Sequence, residues 1–315
     1  MLKKIMRLFT AAFLPAAALA FPAMAQDGRV GMAKEGQINF QDPATDVMLD
    51  IINLHTEVFY IISGITILVT GLLIYIMLRY NKWANKTPSK TSHNTLLEVI
   101  WTAVPVFILA YIAIDGVKLL YKQDVIPESD LVITATGHQW YWTYEYPDQG
   151  IAFDANMVPD DFVNGTADQF TTDDWNGRFD ELRIILGSDQ VIQPKRLLDT
   201  DTRVVVPVDT TVKVLVTADD VLHAWTIPAF GFKIDAVPGR VNETWFHANE
   251  IGTFYGQCSE LCGIKHAFMP IVVEVVSKED FEQWLTRANS FYAEGQPIDE
   301  VAKLAETEKE QDLGN

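Results

Sequence analysis

The sequence predicts a two-helix transmembrane hairpin followed by an all-β sandwich. Two observations carry this: a pair of long apolar runs within residues 59–120, and a series of short β-prone runs from Leu131 onward separated by turn residues. A third is compositional. With 49% apolar residues in 315, the chain can supply both membrane segments and a buried core.

Residues 1–25 read as an export signal: Lys3, Lys4 and Arg7 are followed by an apolar run from Leu8 to Phe21 and a small-residue cleavage site at Ala23-Met24-Ala25, so the mature chain begins at Gln26. The competing reading is a retained anchor. The run is short against the ~20 residues a span needs and contains Pro15 and Pro22. Residues 26–53 form an N-terminal segment outside the membrane, and residues 54–122 the hairpin. Its first span, 59–78, has no charged residue; its second, 99–120, is interrupted by Asp115 and Lys118. The loop between them, 79–97, carries Arg79, Lys82, Lys86 and Lys90 with no acid before Glu98, which places it in the cytoplasm. Both hairpin ends then face the periplasm, in agreement with the export signal. The predicted location is a bacterial inner membrane, crossed twice, with both termini outside.

Beyond Pro127 come β-prone runs at Leu131–Thr136, Gln139–Tyr146, Arg203–Val208, Thr211–Thr217, Thr244–His247 and Ile271–Val276, defining a sandwich domain over 123–277. The stretch 154–185 is dense in carboxylates from Asp154 to Glu181 and is expected to be an acidic surface loop or insertion. Residues 278–315 begin with Phe281, Trp284, Leu285 and Ala288 at the spacing of an amphipathic helix and end in a charged tail. The net charge of −18 argues against nucleic acid or anionic lipid headgroups as partners and favours a basic one, unless the acids serve only solubility.

Cys258 and Cys262 are the only cysteines, and in an oxidising compartment their default state is a disulfide. Their neighbours point elsewhere. Glu260 lies between them, with His266 and Met269 just beyond; thiolates, imidazole and thioether form a copper-type donor set, whereas zinc rarely recruits methionine. A second imidazole is expected from His223, read as ending the preceding β run and folding over the loop. Two thiolates from one short loop can both bridge a metal pair, although ligand type alone leaves the number of metals open. No Cys-x-x-Cys-His occurs, so the chain carries no c-type haem of its own. A copper chaperone or thiol–disulfide protein could also use such a cysteine pair, but with a thioredoxin-like αβ pattern and one anchor rather than two spans and an all-β tail.

The string Gly256-Gln-Cys258-Ser-Glu-Leu-Cys262-Gly-Ile-Lys-His266-Ala-Phe-Met269-Pro270, together with Val221-Leu-His223-Ala-Trp225, resembles the copper site of the cytochrome c oxidase subunit II family. The likeness extends to Gly137–Tyr146, Asp235–Arg240 and Leu97–Pro105, and covers about Leu54 to Leu285. It implies that the sandwich is a cupredoxin holding a dinuclear copper centre, CuA. In that arrangement Cys258 and Cys262 bridge two copper ions, His223 and His266 bind one each, Met269 is a weak axial ligand and the Glu260 carbonyl another. The Glu260 carboxylate would bind a magnesium ion shared with subunit I.

The resemblance further implies that Trp140 accepts electrons from cytochrome c, with Glu145, Asp201 and Asp220 as docking carboxylates for that lysine-rich partner. Glu98 would stand at the mouth of a proton-uptake path into subunit I. Haems would lie only in subunit I, where oxygen is reduced and proton pumping coupled; subunit III and membrane lipid are further implied partners. The quinol-oxidase version of this subunit lacks the copper ligands, whereas both cysteines and both histidines stand here. Nitrous oxide reductase carries the same type of site but would not need the hairpin.

Overall fold

The computed structural model describes residues 31–188 and 192–292; the export signal read at 1–25 and the charged tail after Tyr292 lie outside them. Two long helices come first. Helix α1 spans Asp46–Arg79 and α2 spans Thr95–Asp124, capped by the Thr45 and Asn94 side chains, which accept from the Met48 and Leu97 backbone N–H. Both are long and apolar enough to cross a membrane, and their apolar side chains are turned outward rather than into the protein.

Both helices are longer than the apolar runs that announce them. Helix α1 begins at Asp46 rather than near residue 54, because hydropathy measures the thickness of hydrocarbon while the helix continues into water. Its extra turns carry Asp50, Asn53 and Glu57. Asp50 accepts from Lys122 of α2 at 2.6 Å, and Asp115 is paired with Lys118 at 2.9 Å. The charges that interrupt the second apolar run therefore meet partners at the hairpin's far end.

That end is fastened to the β domain. The Ala44 N–H donates to the Ala229 carbonyl, Thr45 Oγ1 to the Phe230 carbonyl and Gln123 Nε2 to the Gly231 carbonyl, while Val47 and Met48 are buried. The start of α1 and the end of α2 thus grip one short turn, Pro228–Phe230. The domain stands over the same end of the hairpin as its two termini.

The domain contains β1 (Leu131–His138), β2 (Tyr141–Tyr146), β3 (Ile151–Ala155), α3 (Asp160–Val163), α4 (Gln169–Leu186), β4 (Val204–Pro207) and β5 (Thr211–Ala218). There follow β6 (His223–Ile227), β7 (Phe232–Ala236), β8 (Asn242–His247), β9 (Gly252–Gln257), β10 (Pro270–Val276) and α5 (Lys278–Tyr292). One sheet runs β3-β2-β1-β5-β8, a second β4-β10-β9, and β6 with β7 forms a ribbon. β1 lies parallel to β5, and β4 to β10. Strict alternation buries every second residue of β1 and β5, as a one-sided sheet requires. Ile133, Trp142 and Val214 from the first sheet share one core with Val205, Ile271 and Val273 from the second. Helix α5 closes that core with Phe281, Trp284 and Ala288, the face its apolar spacing predicts.

The acidic stretch 154–185 differs from the loop expected. It starts within β3 and continues into α3 and α4, which enclose a small core of Val158, Trp175, Phe179 and Leu182. Asp168 caps α4 by accepting from the Thr171 N–H at 2.7 Å, and Gly187 ends it in a left-handed conformation at φ 65°. The carboxylates coat the outside of a helical unit. Arg178 pairs with Asp174 at 3.0 Å and Arg183 with Asp180 at 3.1 Å.

Candidate metal centre

Cys258 and Met269 are brought together by the β9–β10 hairpin, whose last paired residues are Gln257 and Pro270. The loop they bound, 258–269, folds back over the end of β6, and the Ser259 N–H donates to the Ala224 carbonyl. His223 opens β6 rather than ending the run before it: β5 stops at Ala218, and residues 219–222 turn the chain so that His223 enters the core fully buried. His266 starts a single 3₁₀ turn, half-buried at the rim.

The donors fall into one cluster with two lobes. His223 Nδ1 lies 3.8 Å from Cys258 Sγ, while Cys262 Sγ lies 3.5 Å from His266 Nδ1 and 3.6 Å from Met269 Sδ. The two sulfurs are 3.9 Å apart, and the Glu260 carbonyl oxygen sits 3.3 Å from Cys258 Sγ. His223, Cys258 and Cys262 present donor atoms all within 4.8 Å of one another. A disulfide needs about 2 Å between sulfurs. Both cysteines are free, so the disulfide default is overturned by spacing that leaves room for metal. Soft thiolates and a thioether with two imidazoles fit copper, and the Glu260 carboxylate points away from this cluster, 3.9 Å from Lys233 Nζ.

The thiols are electrostatically unequal. Burial opposes ionisation of Cys258, but hydrogen bonding with His223 and with backbone at Glu260 and Ala224 outweighs it and brings the thiol down to about 7. Burial, then the neighbouring Cys258 charge, pushes Cys262 up to about 12. Metal ligation requires both thiolates and neutral imidazoles, so loading displaces the Cys262 proton and, toward acid, the Cys258 proton and that of His223, which bonds to Cys258 and Asp220 hold on against burial. Copper affinity of the metal-free protein is therefore expected to rise with pH, more steeply on the acid side of neutrality than on the alkaline side. Competition titrations on both sides of neutrality check this. A flat profile would show that no thiol proton is displaced.

A polar frame surrounds the ligands. The Asp220 carboxylate meets His223 Nε2 at 2.9 Å and accepts from the Gln139 N–H at 2.6 Å. Gln139 Nε2 and Trp140 Nε1 both donate to the Cys262 carbonyl, at 2.8 and 3.2 Å, and Trp142 Nε1 donates to the Met269 carbonyl at 3.3 Å. The turn from Gln139 to Trp140 is thus bonded to both halves of the ligand set. Gly137 is required here, since a Cβ would come within 2.9 Å of the His223 ring carbons. Gly256 is required more strictly, because its Cβ would lie 1.9 Å from the Thr226 carbonyl oxygen. Gln139, Gly137 and Gly256 were not singled out as site residues, although all three stand in the motifs that carry the resemblance.

Trp140 is half-buried beside the loop, Trp142 and Tyr144 are core, and Glu145 is exposed on the outer face of β2. Two of the expected docking carboxylates behave otherwise. Asp201 is only 6% exposed and accepts from the Asn156 N–H at 2.7 Å and from Arg178 at 3.0 Å, which pins α4 to the sandwich; an inward carboxylate already satisfied by these partners is not a docking group. Asp220 is exposed as a residue, but its oxygens are engaged with His223, Gln139 and Val221, so it holds the His223 ring in place. Glu98 lies in the first turn of α2, where a carboxylate also suits the helix dipole.

Fold and site define a class: a membrane-anchored β-sandwich protein with a sulfur-rich soft-metal site. Residues 33–119 match the family model for the transmembrane domain of cytochrome c oxidase subunit II, and residues 131–276 the model for its periplasmic domain. A cytochrome c oxidase subunit 2 from Cereibacter sphaeroides is 44% identical over 82% of this chain and 82% of its own length. One from Chondrus crispus is 41% identical over 81% of this chain and 92% of its own length. The solved periplasmic domain of subunit II of cytochrome oxidase from Bradyrhizobium japonicum is 45% identical, covers 54% of this chain and 100% of that one, and gives a TM-score of 0.42. The chain belongs to the cytochrome c oxidase subunit II family and is a cytochrome c oxidase subunit.

Proposed function

We propose that this chain is the electron-entry subunit of its oxidase: an electron from cytochrome c enters at Trp140 and leaves toward haem in subunit I, where oxygen reduction is coupled to proton pumping. The observation that supports this best is the convergence of five side-chain donors beneath Trp140, whose indole N–H is bonded to the Cys262 carbonyl. When bound, a copper pair would supply one-electron redox chemistry. Cys258, Cys262, His223, His266, Met269 and the Glu260 carbonyl would hold it.

The chain's own residues do the remaining work. Asp220 fixes the His223 ring through Nε2, leaving Nδ1 for metal, and Gln139 ties the entry turn to the ligand loop. Rigid attachment keeps the ligands in place whichever redox state they hold. The Glu260 carboxylate, turned toward Lys233, is free of the donor cluster and would serve magnesium at the interface with subunit I. Glu98 would open the proton-uptake path, and exposed Glu145 would help steer a basic cytochrome. The domain would face the periplasm, with the basic 79–97 loop in the cytoplasm.

Trp140→Ala tests the reading. Oxygen uptake by the purified complex with reduced cytochrome c is expected to fall by about a hundredfold or more while copper content is unchanged, as for removal of a positioned group from the reacting path. Uptake at the native rate would remove Trp140 from the scheme.

A further inference from the structure

The ligand loop carries one cation beside the entry residue. Lys265 lies between Cys262 and His266, is exposed, and holds its ammonium 5.9 Å from the centre of the Trp140 ring. That distance is within the range of a cation–π contact, which settles the charge over the ring face. Gly263 packs against the same indole, and Ile264 between them is 88% exposed. Among the described residues Lys265 has no ion-pair partner.

Carboxylates follow on the strand side of the entry turn. Asp154 and Asp219 lie toward Tyr141, the residue after Trp140: Asp219 is 3.9 Å from the His138 ring that stacks on Tyr141, and burial and then carboxylate charge raise the Tyr141 hydroxyl above its ordinary value. Asp154 and Asp219 are exposed. The entry turn is therefore flanked by an exposed lysine of the ligand loop on one side and by exposed carboxylates near Tyr141 on the other.

We propose that Lys265 is a charge selector for the electron donor: it favours a donor whose contact edge opposite Trp140 is neutral or carries a carboxylate, and slows one that presents a lysine there. The inference rests on the reading of Trp140 as the entry point. Exposed carboxylates attract basic partners indiscriminately, raising encounter rates for any of them. Discrimination needs a repulsive element, and a cation held against the entry residue, where the donor must come close, supplies it. The matching partner has basic residues at its periphery and none at the middle of its contact face.

The test uses the purified oxidase with Lys265→Gln and Lys265→Glu. Association rates are measured with two probes, a basic c-type cytochrome that presents a lysine at the centre of its contact edge and one of similar basic periphery whose central position is a carboxylate, across ionic strength. Lys265→Gln is expected to speed the lysine-centred probe by about threefold at low salt and to slow the carboxylate-centred one comparably, and Lys265→Glu to double the effect on a logarithmic scale. The differences should collapse as the screening length shrinks to about 3 Å in 1 M salt. Equal effects on both probes, or none, overturn the selector role. Oxygen uptake by Trp140→Ala separates the two readings: if that variant stays active the entry assignment falls, and if it is inactive while the Lys265 variants leave donor preference unchanged, only the selector falls.

Discussion

Cys262→Ser is expected to remove copper from the purified complex and to lower oxygen uptake from cytochrome c by at least about a hundredfold, beyond the loss typical of an outer-shell change. Cys262 is the junction of the cluster: its sulfur lies 3.9 Å from Cys258 Sγ, 3.5 Å from His266 Nδ1 and 3.6 Å from Met269 Sδ. A serine hydroxyl is a hard donor that stays protonated near neutrality, so it neither bridges nor favours Cu(I). The fold should survive, because no disulfide is lost and the replacement is nearly isosteric. Elemental analysis with a thermal melt of the metal-free protein reads both halves. Native copper content in the variant would show that the two lobes do not share this sulfur.

Gly256→Ala is expected to be the most damaging change that touches no ligand atom. Its Cβ would stand 1.9 Å from the Thr226 carbonyl oxygen and 3.0 Å from the Thr226 carbonyl carbon, so backbone must move against backbone. Overpacking of this kind costs on the order of 3 kcal/mol, and no rotamer change can relieve it. β9 leads directly into Cys258 while β6 carries His223, so separating these strands pulls the two imidazole and thiolate donors apart. A melting temperature lowered by several degrees together with lost copper is the expected pair of results. Unchanged stability would mean that β9 can shift past β6 without strain.

The apolar runs, the basic loop and the donor types in 258–269 were legible because each is a local property of the chain. Hydropathy over a window reports a span, and ligand softness reports a metal, without reference to any distant residue. The inserted helices were less legible. Trp175, Phe179, Leu182 and Ile185 have helical spacing, but Thr171, Thr172, Gly177 and the surrounding carboxylates dilute the signal, and the apolar face is committed only once Val158 and Phe162 cover it. Helix ends were misplaced for a related reason: Asp46 to Asn53 look like a polar lead-in until the β domain supplies the surface on which Val47 and Met48 are buried.

By itself the sequence determined the architecture and the ligand inventory: two spans, a β domain, two thiols, two imidazoles and a thioether. Only the tertiary structure decided that the sulfurs stand apart unbonded, that Asp220 orients His223, that Asp201 is turned inward beneath an inserted helix, and that Gly137 and Gly256 exist to let other chain segments approach. Each of those is a contact between residues far apart along the chain, such as 137 with 223 or 226 with 256, and no local pattern encodes the distance between them.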